Sequence, residues 1–192
     1  MHIGSERRTT GSGGVYDHVY PATGEVDAQA PHGGAKEIDD AVEAAQAAFE
    51  TWRRWRPAAR RDVLMKFANL IDEKSELIAQ YATMDSGLAM SVTPFHAPFA
   101  REWIAYYAGL ADKIEGEVTS SYVSDTEFAY THKEPCGGVG LLLSWNGPFS
   151  YLCMKAGPAL AAGNTFVCKP SEYAPFSLEL FMDCVREAGI PD

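Results

Sequence analysis

Two short polar segments in this chain combine residue types that catalysis and ligand binding use. Asn146 lies in Ser144-Trp145-Asn146-Gly147-Pro148-Phe149, directly after the apolar run Gly137 to Leu143. Lys169 and Glu172 lie in Lys169-Pro170-Ser171-Glu172, directly after a second run, Asn164 to Cys168. A side-chain amide at a strand end can donate to an oxygen that gains negative charge during a reaction, an effect worth about 3 kcal/mol. A carboxylate accepts from two vicinal hydroxyls and an ammonium donates to them. In nucleotide-binding α/β sheets an acidic residue near the end of the second strand holds ribose hydroxyls in this way. Each segment alone has a plainer account. Asn146 before Pro148 reads as a turn or helix cap, and Lys169 with Glu172 reads as a surface ion pair. Their occurrence at equivalent ends of successive strands favours a site.

The elements that must present these residues follow from the hydrophobic pattern. Gly137 to Leu143 is continuously apolar, as in buried parallel strands. Phe149 to Ala162 is an Ala-rich helix in which Pro158 predicts a kink or an early end. Asn164 to Cys168 is a second strand, and Pro175 opens a last helix through Leu178, Phe181, Met182 and Val185 to Gly189. This β-α-β-α order is the start of a doubly wound sheet. Gly137-Gly138-Val139-Gly140 is not a dinucleotide fingerprint: the spacing is wrong and the glycines precede the strand. They read as a tight approach into it.

Upstream, Val19 to Val26 carries strand formers around a Pro/Gly turn and predicts a hairpin. Ile38, Val42, Ala45, Phe49 and Trp52 predict an amphipathic helix with Glu37, Asp39 and Asp40 in its first turn. Pro57 ends it or opens the next helix. That second pattern runs through Val63, Phe67, Leu70, Leu77 and Tyr81 to a break at Asp85-Ser86-Gly87. A third helix, about Phe99 to Ile114, is expected to bury Phe99, Trp103, Tyr107 and Leu110. From Gly116 to Glu134, strand formers flank Ser124-Asp125 and suggest a hairpin with imperfect alternation, suited to pairing with another chain.

Bulk composition narrows the function. The 192 residues are 46% hydrophobic and 22% charged, a globular balance. The net charge of −10 argues against nucleic-acid binding. The arginines at 53, 54, 56, 60 and 61 read as a solvated helix junction, anchored to the core by Trp52 and Trp55. Cys136, Cys153, Cys168 and Cys184 form no CxxC pair and no zinc-spaced cluster, so no metal site is expected. Each cysteine has apolar neighbours, which suggests reduced structural thiols of a cytoplasmic protein. Met1 to Gly14 is polar and glycine-rich and reads as a flexible tail, not a secretory signal. No apolar run reaches membrane-spanning length.

The stretch Glu134-Pro135-Cys136-Gly137-Gly138-Val139-Gly140 through Trp145-Asn146-Gly147-Pro148 resembles the NAD(P)-dependent aldehyde dehydrogenases. So do Lys155 to Asn164, Lys169-Pro170-Ser171-Glu172 and Glu187-Ala188-Gly189-Ile190-Pro191, and, further back, Pro21 to Glu25 and Trp52 to Arg61. The resemblance runs from about Val15 to Asp192. It implies an incomplete doubly wound, Rossmann-like α/β nucleotide-binding domain, made of 15–115 and 135–192 after the tail 1–14. Residues 116–134 would be an oligomerisation-arm hairpin, and the catalytic domain would be absent.

The implied chemistry is oxidation of an aldehyde to an acid. A cysteine thiolate adds to the aldehyde carbon, hydride leaves to the nicotinamide, and a glutamate-activated water hydrolyses the resulting thioester. By match of motif, Asn146 would donate to the oxyanion. Lys169, Ser171 and Glu172 would lie at the adenosine ribose, with Lys169 and Glu172 holding it. Leu143, Ser144 and Trp145 would line the cofactor cleft mainly through backbone. Glu172 points to NAD rather than NADP, because its charge opposes a 2′-phosphate. The partners implied are a small-molecule aldehyde and NAD, with a homo-oligomer in the full-length form and neither nucleic acid nor membrane.

This sequence departs from the family pattern in four respects. Gly147 replaces an aromatic residue, Asp85-Ser86-Gly87-Leu88 departs from the usual Gly-Lys pattern, and no cysteine here stands in the Gly-Gln-x-Cys context of the family nucleophile. The Glu-Leu-Gly-Gly segment of the general base is missing too. The expectation is an N-terminal portion that turns over no aldehyde alone and exposes unpaired strand edges that favour aggregation. The alternatives are a non-catalytic nucleotide-binding or interaction module, or one half of a split enzyme.

Overall fold

The computed structural model describes residues 1–192. Its centre is a parallel pair, β7 (Gly138–Leu142) and β8 (Thr165–Lys169), joined by helix α5 (Pro148–Ala161). The register runs from Gly138 opposite Thr165 to Leu142 opposite Lys169. Thr165 and Phe166 turn to opposite faces of β8, as strand geometry requires. The Thr165 hydroxyl donates to the Ala45 carbonyl of α1 (Ala35–Trp52) at 2.8 Å. Phe166 packs against Phe181 of α6 (Phe176–Ala188), 6.4 Å between ring centroids. Helices therefore cover both faces of the sheet, the doubly wound arrangement expected.

Pro158 does not end α5, which runs one more turn to Ala161. The approach into β7 is the tight one that the glycines suggest. Gly137 has φ +115 and takes the Asn164 side-chain oxygen at 3.0 Å through its own N–H.

The core lies where α2 (Pro57–Glu73), α4 (His96–Leu110), α5 and α6 meet the sheet. Phe181 is its hub, edge-on to Phe67 at 5.2 Å and to Phe149 at 6.0 Å. Burying side chains of this size contributes about 2–3 kcal/mol each. The arginine junction is more than a solvated face. Trp52 is buried and donates from its indole N–H to the Leu160 carbonyl at 3.1 Å, and Arg60 donates to Ala161 at 3.3 Å and to Trp55 at 2.6 Å. Two side chains thus cap the last carbonyls of α5, with a cation at the negative end of that helix.

Three expectations need correction. The second helical pattern is two helices, α2 and α3 (Ser75–Ser86), because Lys74 takes φ −102 and ψ 17 between them. On α4 the buried face is Ala97, Ala100, Ile104 and Ala108, whereas Phe99 and Leu110 stay more than a third exposed. The reason is close approach: a Cβ on Gly157 of α5 would lie 3.3 Å from the Trp103 carbonyl and 3.5 Å from Ile104, so only small residues fit between these helices. The aromatic stripe flanks the contact instead of filling it.

Met1 to Gly14 is also ordered. It forms a hairpin, β1 (His2–Ile3) with β2 (Glu6–Arg7), tied to α6 through Arg7–Glu179 at 3.0 Å and to α1 through Arg8–Asp40 at 2.6 Å. Local composition carries no trace of these distant ion pairs.

The hairpin predicted around Pro21–Gly24 is β3 (Val15–Val19) with β4 (Val26–Pro31). Residues 116–134 pair as β5 (Val118–Thr119) with β6 (Ala129–Tyr130), leaving Val118, Tyr122, Val123, Phe128 and Tyr130 largely exposed. A groove of about 460 Å³ follows the outer edge of β8, walled by Ala41, Ala44 and Ala48 of α1 and by Leu178, Met182 and Val185 of α6. No helix is long and apolar enough to cross a membrane.

Candidate active site and nucleotide cleft

Both candidate segments leave the carboxyl edge of the parallel pair. The Leu143 N–H donates to the Lys169 carbonyl at 3.1 Å, so the strands end level and the two turns start side by side. Leu143 points its side chain into the core, and Ser144, Trp145 and Asn146 are exposed. The cap of α5 is Gly147, and no side chain bonds to the free N–H groups of its first turn. The Asn146 amide is therefore not spent as a helix cap. It lies beside the positive end of a 14-residue helix whose leading N–H groups are unclaimed. An amide donor and a helix N-terminus together can stabilise an oxyanion. Lys155, one α5 residue that sequence reasoning passed over, donates to the Leu142 carbonyl and ties the helix to the strand end below the turn.

Across the edge, Lys169 Nζ stands 3.4 Å from a Glu172 carboxylate oxygen, both side chains more than half exposed. The Glu172 pKa is lowered by its own backbone N–H and then by Lys169, so the carboxylate stays ionised and able to accept. This donor–acceptor pair retains free hydrogen-bonding capacity toward solvent and fits a vicinal diol. Ser171 is buried and its hydroxyl accepts from the Tyr173 N–H at 3.3 Å, which shapes the turn.

Asp85 is the residue whose role the sequence concealed. Read only as a helix breaker, it is 2% exposed and accepts from the Phe176 and Ser177 N–H groups, each at 2.9 Å. Burial raises its pKa, opposed by those hydrogen bonds and by the charge of His18. It caps α6 immediately after the Lys169–Glu172 turn. A carboxylate at the helix break is the available signal, but its partners lie some ninety residues away.

The cysteines divide differently from the expectation. Cys153 and Cys184 are buried and Cys168 is half-buried, but Cys136 is exposed. Burial pushes Cys168 up to about 12 and Cys184 up to about 11, with Cys153 also raised. These three are inert as nucleophiles at neutral pH. Cys136 precedes β7, at the opposite end of that strand from Asn146.

Known proteins resemble this chain over nearly its whole length. The family model described as "Aldehyde dehydrogenase family" matches residues 8–192. Aldehyde dehydrogenase 1 of Tanacetum cinerariifolium is 41% identical over 185 residues, which cover 94% of this chain and 36% of that protein. An aldehyde dehydrogenase of Alternaria alternata is 36% identical over 193 residues, covering 100% and 38%. Among solved structures, PnpE in complex with nicotinamide adenine dinucleotide has a TM-score of 0.95 at 34% identity, covering all of this chain and 39% of that one. An E. coli NADP-dependent enzyme has a TM-score of 0.94 at 29% identity, covering 98% and 39%. The chain thus spans between a third and two fifths of the length of these relatives. Matched over nearly its whole length, the chain belongs to the aldehyde dehydrogenase family.

Proposed function

We propose that this chain supplies the oxyanion donor and the nucleotide cleft for NAD-dependent oxidation of an aldehyde to a carboxylic acid. The observation that carries the reading is Asn146, exposed at the strand end beside a helix N-terminus that no side chain caps. Lys169 and Glu172 hold the adenosine ribose, Ser171 shapes their turn, and Leu143, Ser144 and Trp145 line the cleft. NAD, when bound, accepts the hydride. The ionised Glu172 favours NAD over NADP by opposing a 2′-phosphate. The groove along β8 accepts a further parallel strand, which completes the sheet over the cofactor. The exposed β5–β6 hairpin, with its apolar side chains, is an oligomerisation arm.

The thiolate nucleophile and the carboxylate base lie outside residues 1–192 in this reading. The complete polypeptide carrying this sequence should form NADH from propanal and NAD, and the 192 residues alone should not. Failure of the complete polypeptide on a panel of aliphatic and aromatic aldehydes would sink the proposal.

A second reading, a nucleotide-binding module without turnover, is favoured by one observation. Three of the four thiols are held protonated by burial, and the fourth is remote from Asn146. NAD binding without NADH formation would select it.

A further inference from the structure

Gly147 carries the turn that presents Asn146, and it does so with φ +146, a conformation L side chains rarely adopt. Glycine leaves such a turn loose unless something else braces it. The brace in this structure is His96, the first residue of α4. A Cβ built on Gly147 would meet His96 Cε1 at 3.0 Å, the Tyr151 ring at 3.4 Å and His96 Nδ1 at 3.5 Å. The imidazole therefore fills the space that a side chain at 147 would need.

The ring is itself fixed. His96 is 2% exposed, and its Nδ1 lies 2.7 Å from the Ser150 hydroxyl, which donates to the His96 carbonyl at 3.2 Å. With that hydroxyl donating, Nδ1 carries the proton and donates to Ser150. Phe95 covers the ring at 4.1 Å between centroids. Ser150 is buried in the first turn of α5, where the Tyr151 N–H closes back on the Gly147 carbonyl at 3.0 Å. One imidazole thus touches the turn at Gly147 and ties its helix to α4 at Ser150.

We propose that His96 is the positioning residue for Asn146, substituting for the side chain that Gly147 lacks and locking the 146–151 turn through Ser150. The inference rests on the reading of Asn146 as the oxyanion donor. It also couples the two positions: a side chain at 147, already strained by the positive φ, would press on the His96 ring as well.

The test uses the complete polypeptide carrying this chain, with two readouts. The first is hydrogen exchange at the Tyr151 amide, which reports the turn without any turnover. The second is kinetics with propanal and NAD. His96→Ala should speed Tyr151 exchange about tenfold and lower kcat about 10- to 100-fold, leaving KM for NAD unchanged. His96→Asn, which can keep the bond to Ser150, should recover much of both losses. Ser150→Ala should follow His96→Ala in direction, and it carries the comparison if His96→Ala fails to fold. Parent-like exchange in both His96→Ala and Ser150→Ala would overturn the brace. So would an equal loss in His96→Asn and His96→Ala. Faster exchange with undiminished kcat would uphold the brace and overturn the oxyanion role of Asn146.

Discussion

Three helix N-termini in this protein face the same electrostatic problem, and two of them resolve it in a way the third does not. Helix α6 is capped by the buried Asp85 carboxylate, with one oxygen on each of two N–H groups at 2.9 Å. Helix α1 is capped by Glu37, which accepts from the Gly34 N–H at 2.7 Å and from the Ser12 hydroxyl at 2.5 Å. Helix α5 has a glycine at its cap, a proline at its first position and no side chain on its free donors. At α1 and α6 a carboxylate offsets the positive end of the helix. At α5 that charge is left available, as it is at α2, α3 and α4, whose caps also carry no side-chain bond. What sets α5 apart from those three is the exposed Asn146 amide beside its first turn, the group proposed as the oxyanion donor.

The contrast is sharpest for Asn146→Ala and Asp85→Ala. The first should lower kcat of the complete polypeptide about 10²- to 10³-fold, the worth of one oxyanion donor, with no change in the denaturation midpoint. A shifted midpoint with unchanged kcat would assign Asn146 to the turn alone. Asp85→Ala should do the reverse. It strips two buried N–H groups of their acceptor and should cost about 1–3 kcal/mol of stability, read from urea denaturation. Parent-like stability would mean that the α6 cap contributes nothing.

Acid separates the capped ends further. Hydrogen bonds from Ser12 and from the Gly34 N–H hold the Glu37 carboxylate down to about 2, against an ordinary 4.5. A lowered carboxylate stabilises the fold fully above pH 4.5, and that contribution is lost as pH falls from 4.5 toward 2. The denaturation midpoint of Glu37→Gln should fall less steeply than the parent's across this window, and parallel curves would refute the cap. The smallest effect is expected at the exposed pair: Glu172→Gln should weaken NAD about three- to tenfold, the worth of one or two solvent-exposed hydrogen bonds. Calorimetry on the parent and the variant measures this directly, and equal affinities would remove Glu172 from the cleft.

The parts of this fold legible in the sequence are those encoded locally. Gly137 to Leu143 and Asn164 to Cys168 are short apolar runs bounded by Pro, Gly and polar residues, and both are strands within a residue of the expected bounds. Pro57 and Pro175 mark helix starts because a missing N–H is harmless there. Lys74 divides α2 from α3 without a glycine or proline to announce it. The α4 face is hard to read because aromatic residues dominate any periodicity count, whereas the contact with α5 needs small ones. The order of the first residues rests on Glu179, Asp40 and Glu37, all far along the chain from their partners. Asp85 was hidden for the same reason. Asn146, Lys169 and Glu172 stand out in the sequence because each lies at or shortly after the end of a recognisable strand. His96 does not, since nothing near it in sequence points to Gly147.

The clamp on the far end of α5 has a mechanical consequence. Trp52 and Arg60 grip the carbonyls of Leu160 and Ala161. Asn146 rides at the other tip of a rod about 20 Å long. Pivoting that rod about its clamp by roughly 3° would carry the tip through about 1 Å, and a displacement of that size is enough to cost a reaction about a hundredfold. Substitutions at Trp52 or Arg60 that leave the protein folded therefore have leverage on the position of Asn146 out of proportion to their distance from it.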